Sequence, residues 1–351
     1  MKTAAILTFC NNNGVTNYGQ ILQCYAVQKL VEQKGYEPLV VLFQKYAIEE
    51  IETSRIRKFR GFVKDNIKTS AECFSIDEVK EITRDCSVLV CGSDQIWHPN
   101  YTDRVWMLGF GNDSQKRIAI AASGIFHDTD EVNSSCKKYA DCINNIDFIS
   151  VRENAAKEIL SKYISKDIHV IPDPSFLLSA YEWNEVAESK NAEGEYILCF
   201  CLGTIRPYSL ILRELSNKYN GAKIKYIPSV IVKEGSYSFM EPITDAGPAE
   251  FLGLIKNAKA VCTDSFHGVV FSMIFGVDFY CLERRHVGAD SFGGRVRVDN
   301  LLGMAGIQMT WVRSKKDVDV RHNEQHEGNK EIIKKWISSL KNTKEMLLNQ
   351  L

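Results

Sequence analysis

Residues 263 to 268 read Thr263-Asp264-Ser265-Phe266-His267-Gly268 and lie between an apolar run, Ala258 to Cys262, and a helix-like run, Val269 to Phe275. A strand that stops at polar residues and a Gly, then gives way to a helix, places an imidazole beside the free backbone N–H groups of that helix. Such a place suits an anion. Histidine is the side chain whose ordinary pKa lets it exchange a proton near neutral pH, so one loop would supply both an acid and an anion cradle. The structural alternative is an Asp or Ser that caps the helix and a His packed on the loop. Arginines follow at 284, 285, 295 and 297, and guanidinium groups are the usual partners of phosphate and carboxylate. Arg284, Arg295 and Arg297 therefore join Asp264, Ser265, Phe266 and His267 as candidate site residues. Gly288, Gly293 and Gly294 among them suggest a mobile loop that closes on an anion.

Three other constellations could carry chemistry. The loop Asn11 to Gln20 lacks G-x-G-x-x-G and is not a P-loop, but Asn17, Tyr18, Gly19 and Gln20 offer amides, a phenol and a helix start. They suit a hydroxyl-rich ligand or a phosphate, or else form a polar turn with capping residues. Gly92-Ser93-Asp94-Gln95 follows an apolar run; Asp94 could take a proton or bind a sugar hydroxyl, or cap the next helix. Arg152 stands where the run Phe148 to Val151 ends, free to face a ligand or paired with Glu153 or Asp173.

The elements that must hold these residues alternate. Apolar runs of strand length (Thr3–Phe9, Pro38–Phe43, Ser87–Cys91, Lys116–Ala122, Phe148–Val151, His169–Ile171) are separated by segments of helical periodicity (Gly19–Lys34, the charged stretch 46–85, Glu131–Asn145). The pattern repeats after Pro172-Asp173-Pro174, with strands at Tyr196–Cys201, Lys223–Ile227, Ala260–Thr263 and Phe279–Leu282. Helices are expected at Tyr208–Tyr219, Pro248–Asn257, Val269–Phe275 and Val296–Met304. An aromatic stretch with Trp97, Tyr101, Trp106 and Phe110 reads as loop. Alternation of this kind predicts an α/β fold of two Rossmann-like domains facing a cleft, 1–172 and 173–328. A C-terminal helix over 329–351 would pack back on the first. In open parallel sheets ligands bind beyond the carboxyl ends of strands, and the candidate loops are all at such ends.

Composition narrows the function classes. The 351 residues carry a formal net charge of −1, which gives no electrostatic case for nucleic acid or an anionic membrane. No stretch approaches a spanning helix, and the apolar run at the N-terminus is too short for a signal peptide. A cytoplasmic protein with at most peripheral membrane contact is expected. The eleven cysteines form no C-x-x-C pair and many lie in apolar runs, so they read as reduced core residues, with no spacing for a metal site.

Asn17-Tyr18-Gly19-Gln20, Gly92-Ser93-Asp94-Gln95, Ser150-Val151-Arg152-Glu153, Pro172-Asp173-Pro174 and Thr263-Asp264-Ser265-Phe266-His267-Gly268 occur in this order and spacing. On that ordered set the chain resembles the polysaccharide pyruvyl transferase family from about residue 5 to about residue 305. The resemblance implies a two-domain GT-B protein, with 1–172 on the acceptor side and 173–328 on the donor side, that moves a carboxyethylidene group from phosphoenolpyruvate to a sugar, forming a ketal and releasing phosphate. It implies no cofactor beyond the donor, and an acceptor that can be lipid-linked. His267 matches the family's active-site histidine and Arg152 an arginine assigned to the donor, while the Asn17 and Gly92 loops match segments near the cleft. Some members carry an arginine two residues before the histidine where this chain has Ser265, so Arg284, Arg295 or Arg297 would replace it.

The chemistry asks for these residue types: an imidazolium to protonate the methylene carbon, guanidinium groups to clamp the donor, and Asp94 or Asp264 as base for the hydroxyl. Two other readings use the same features. One is a GT-B glycosyltransferase whose helix N-terminus and His hold a nucleotide diphosphate; the other is a non-catalytic sugar-binding protein of the same fold. The acceptor sugar and the oligomeric state are not readable.

Overall fold

The computed structural model describes residues 2–10, 16–44, 52–99, 103–229, 237–284, 291–324 and 328–351. The chain divides into two compact units, one of Met1–Glu52, Phe59–Leu177 and Leu340–Leu351, the other of Thr53–Lys58 and Leu178–Ser339.

The first unit runs β1 (Thr3–Leu7), α1 (Tyr18–Gln33), β2 (Glu37–Phe43), α2 (Ser54–Asn66, whose start groups with the second unit), β3 (Thr69–Cys73), α3 (Ile76–Thr83), β4 (Val88–Cys91), β5 (Lys116–Ala122), α4 (Asp130–Asn144), β6 (Phe148–Val151), α5 (Asn154–Leu160) and β7 (Ile168–Val170). Its seven strands are parallel in the order β3-β2-β1-β4-β5-β6-β7. Ala5 stands opposite Leu39 on one side and Leu89 on the other, so the order reverses between β1 and β4. A parallel sheet is covered on both faces, which is why its inner strands are apolar throughout: every residue of β4 and β6 is buried.

The second unit continues with α6 (Ala180–Asn184), β8 (Tyr196–Phe200), α7 (Ser209–Lys218), β9 (Lys223–Ile227), β10 (Glu241–Pro242), α8 (Pro248–Lys256), β11 (Ala260–Thr263), α9 (Phe266–Phe275), β12 (Asp278–Cys281), α10 (Ser291–Met304), α11 (Lys315–Glu324) and α12 (Lys330–Ser339). Its sheet, also parallel, has the order β10-β9-β8-β11-β12 and reverses between β8 and β11. The passage between units falls just after the Pro172-Asp173-Pro174 segment. Residues 53–58 group with the second unit through polar contacts: Arg55 donates to the carbonyls of Thr244 and Pro228, and Lys58 pairs with Asp245 at 2.7 Å and with Glu250 at 2.5 Å.

Several expectations need correction. The charged stretch 46–85 holds an edge strand, β3, whose sequence Thr-Ser-Ala-Glu-Cys is half exposed and so carries no apolar run. Helix α9 begins three residues before Val269, with Ser265 as its cap and His267 inside its first turn. Gly293 and Gly294 are in helix α10, not in a loop, whereas Gly288 and Arg285 fall outside the described residues. The expected C-terminal helix is two: α12 belongs to the second unit, and α13 (Lys341–Gln350) to the first. There α13 buries Leu347, and Lys34 and Tyr36 donate to the carbonyls of Leu348 and Leu351 at 2.6 and 2.9 Å. The aromatic connection is irregular but its Trp97, Trp106 and Phe110 are core residues, with the Trp97 indole N–H donating to Trp106 O at 3.0 Å; Tyr101 falls outside the described residues.

All eleven cysteines are free and buried. Among the described residues no helix is long and apolar enough to cross a membrane.

Candidate active site

In the second unit the site residues gather where the sheet order reverses. The Asp264 carboxylate, just past β11, accepts from Leu202 N at 2.6 Å and Gly203 N at 2.8 Å, just past β8. One side chain thus closes the end of the switch point, where α/β sheets bind ligands. Burial raises its carboxyl above the usual aspartate value, against the lowering effect of Arg284 and of the two N–H groups. The turn is fixed further by Thr263, whose hydroxyl donates to Phe200 O at 2.5 Å and accepts from Ser265 N at 3.0 Å.

Ser265 then caps α9, accepting from Gly268 N at 3.4 Å. A Cβ on Gly268 would run into the Thr263 side chain, so a glycine is required for this close approach. His267 occupies the first turn, 8% exposed, with Phe266 edge-on at 5.1 Å. Arg284 donates to Asp264 O at 3.1 Å, while its buried Nε makes no hydrogen bond and stands 3.7 Å from the Asp264 carboxylate, beyond hydrogen-bond range. A buried guanidinium with an unused donor beside a helix N-terminus is disposed to hold an anion.

Arg295 is placed differently. It pairs with Glu283 at 2.9 Å and with Asp299 at 3.4 Å, lies over the Trp311 ring and is 43% exposed. Glu283 also takes Arg313, at 2.5 Å. Arg297 is the seventh residue of α10, half-buried. The structure brings Arg284 to the Asp264 turn and pairs Arg295 with Glu283 and Asp299.

In the first unit the corresponding edge is built around Arg152. Its Nε donates to Glu153 at 3.0 Å, Nη1 to Asp173 at 2.8 Å and Nη2 to Ser123 Oγ at 2.7 Å. Arg152 is 2% exposed. It takes the alternative the sequence left open, pairing with both acidic neighbours, and Asp94 adds a third attraction. Ser123 also donates to Glu153 at 2.6 Å. Ser123, Glu153 and Asp173, marked in the sequence only by their place at the ends of β5, β6 and β7, are the partners of Arg152.

Asp94 is held at φ 68°, ψ −175°, a conformation otherwise left to glycine. Its side chain caps nothing. Ser93 is consumed structurally: its carbonyl accepts from Thr8 at 2.8 Å and its hydroxyl donates to Ala121 O at 2.7 Å. Gly92 lies so close to Thr8 that a Cβ would stand 2.7 Å from Thr8 Cβ. Gln95 keeps a buried amide nitrogen with no hydrogen-bond partner. Near the start of α1, Asn17 caps the helix through Gln20 N at 3.3 Å, Tyr18 packs on Phe59 with ring centroids 4.9 Å apart, Gly19 is buried, and Gln20 accepts from Gln23 at 2.8 Å. Asn11 to Val15 lie outside the described residues. Among the described residues no group of three or more His, Cys, Asp and Glu side chains is disposed to hold a metal ion.

The fold is shared with proteins of distant sequence. UDP-GlcNAc 2-epimerase from Neisseria meningitidis bound to UDP-GlcNAc superposes with TM-score 0.62 at 10% identity, covering 100% of this chain and 99% of that one. The enzyme from Methanocaldococcus jannaschii gives 0.59 at 13% identity with 92% of each chain covered. Anabaena Alr3699/HepE in complex with UDP and glucose gives 0.54 at 8% identity over 100% of both. These likenesses establish a GT-B fold. No curated protein sequence matches the chain. The profile of the polysaccharide pyruvyl transferase family matches residues 17–286, a span that contains both sheet edges described above, and the chain therefore belongs to that family of transferases.

Proposed function

We propose that this protein transfers the carboxyethylidene group of phosphoenolpyruvate to a sugar of a polysaccharide or its lipid-linked precursor, forming a ketal and releasing phosphate. The reading is supported by the family match over residues 17–286 together with one feature of the second unit: a buried Arg284 with a spare N–H donor on the Asp264 turn that leads into α9, the helix whose capped first turn carries His267. Phosphoenolpyruvate carries a phosphate and a carboxylate, and the helix N-terminus and guanidinium supply the matching positive field.

In this scheme His267, as imidazolium, gives its proton to the methylene carbon. A sugar hydroxyl bonds to the adjacent carbon and loses its proton. The carbon–oxygen bond to phosphate then breaks, and a second hydroxyl takes the vacated position and gives its proton to the departing phosphate, which closes the ketal. Arg284 and the first N–H groups of α9 hold the phosphate as charge builds on it. Asp264 acts at one remove: with both oxygens on Leu202 and Gly203, it is a positioning residue for the turn. Arg152, enclosed by Glu153, Asp173 and Ser123, is likewise assigned to holding the first unit's edge.

The test is incubation with phosphoenolpyruvate or UDP-sugars and a panel of galactose- and mannosamine-containing acceptors. Phosphate release together with an acceptor mass gain equal to pyruvate minus water is expected; UDP release instead would replace the reading with glycosyl transfer. His267→Ala should lower phosphate release by about 10²–10⁴-fold, the usual worth of a general acid.

A further inference from the structure

The second unit contains a cavity of about 390 Å³, bounded on one side by the last turn of α9 and the start of β12 and on another by α12. All of its lining residues belong to this unit. Asp278, the first residue of β12, pairs with Ala260, the first of the parallel strand β11, whereas Asp264 follows the end of β11. The cavity and the Asp264 turn are therefore at opposite edges of one sheet. The ten residues of α9 run between them, about 15 Å of helix. Close-packed interiors hold few voids larger than a water molecule, while small-molecule pockets start at roughly 300 Å³.

The walls are apolar. Met273, Phe275 and Val277 line one side; Ile333 and Ile337, four residues apart and so on one face of α12, line the other. Phe275, Val277 and Ile337 are only half-buried, so the slot keeps apolar surface within reach of water, and covering it is favourable.

The charged groups at the cavity are out of balance. Asp278, 7% exposed, is already neutralised: Lys330 stands 2.6 Å from Oδ1 and Tyr219 donates to Oδ2 at 3.1 Å. Glu331 pairs with Lys335 at 3.9 Å. Lys334 has no ion-pair partner among the described residues. Arg321 lines the cavity at 1% exposure; its Nε donates to Phe279 O at 3.0 Å and its Nη1 to Glu324 at 3.3 Å, and among the described residues its Nη2 donors are unused. A buried guanidinium with spare donors and an unpaired ammonium on one apolar slot suit a ligand that is apolar along its length and anionic at one end.

The geometry points to a site for a single-chain fatty carboxylate, its alkyl chain between α9 and α12 and its carboxylate on Arg321 and Lys334. One chain is the occupant, not a bilayer, because the apolar residues line the walls of a slot instead of one outward surface. Binding here is independent of the pyruvyl transfer reading, and the anionic donor, which has no alkyl chain, does not compete for it.

Isothermal titration calorimetry of the full chain tests this with decanoate, decanol and decyltrimethylammonium, each below its micelle threshold, and thermal melts accompany every variant. Decanoate should bind saturably at one per chain, at least tenfold tighter than decyltrimethylammonium, and phosphoenolpyruvate should not displace it. Lys334→Glu should weaken decanoate about fivefold, the scale of an exposed ion pair reversed, and leave decanol unchanged. Ile337→Trp should fill the slot, lowering the affinity for decanoate and decanol at least tenfold while holding Tm. Should Ile337→Trp melt low, Ser338→Trp, at an exposed lining position, supplies the same comparison. The proposal is overturned by any of these results: no saturable decanoate binding, equal affinity for the cationic chain, displacement by phosphoenolpyruvate, or full binding by a stably folded tryptophan variant. Co-sedimentation with phosphatidylglycerol vesicles in place of decanoate binding would make the face a membrane contact and likewise end it.

Discussion

Arg152 Nη1 and Asp173 Oδ2 meet at 2.8 Å, joining the end of β6 to the turn after β7 inside the first unit. The same guanidinium serves Glu153 and Ser123, so three acceptors from three connections depend on one buried cation. The geometry needs a flat fork with several donors, which lysine does not have.

Arg152→Ala should therefore unfold the first unit more easily. Removing one partner of a buried pair typically costs about 3–5 kcal/mol because the remaining charge is left uncompensated. Arg152→Lys should retain part of this, and the deficit of Arg152→Ala should shrink in an Asp173→Asn background. Urea denaturation midpoints of wild type, the three single variants and the Arg152→Ala/Asp173→Asn double variant check the prediction; an unchanged midpoint for Arg152→Ala would show that the network contributes nothing.

Gly268→Ala should destabilise the turn that carries His267. The added methyl meets Thr263, and overpacking of this kind costs about 1–3 kcal/mol. Thr263→Ala in the same chain should restore only part of the loss, since the Thr263 hydroxyl also bonds Phe200 O and Ser265 N. Calorimetric melts of the single and double variants measure both effects.

Asp264 gives a pH dependence of defined sign. Burial raises its carboxyl above the ordinary 3.8, so the folded protein binds this proton more tightly than the unfolded chain. Its contribution is fully present below the unfolded value and lost as pH rises through the folded one. The stability difference between wild type and Asp264→Asn should thus decline from pH 4 towards neutrality. A difference that grows with pH would reverse the assignment and make Arg284 and the two N–H groups, not burial, the dominant influence.

The thiols should be silent in the native state. Burial pushes Cys86 and Cys136 up to about 11 and Cys281 to about 12, and thiolate is the reactive form. Iodoacetamide at pH 8 should label fewer than one of the eleven cysteines, and all eleven in denaturant, counted by intact mass. Rapid native labelling of Cys86 or Cys281 would mean that the sheets open readily.

What the sequence determined by itself is whatever local pattern encodes. Inner strands such as Lys116–Ala122 and Ala260–Thr263 are readable because a parallel sheet buries both faces and so demands an unbroken apolar run. The candidate loops at the strand ends, with Asp264, Ser265 and His267 in order, follow from that alternation. Tertiary structure alone decided the rest. The edge strand β3 has no apolar run because one side meets solvent. The partners of Arg152 lie up to 29 residues away in sequence, and those of Asp264 lie at 202 and 203; which acceptors a guanidinium or carboxylate meets depends on strand order and register, which no local pattern records. The same holds for α13, whose return to the first unit rests on Leu347 and on hydrogen bonds from Lys34 and Tyr36, contacts across more than 300 positions of chain that exist only once the sheet beneath them has formed.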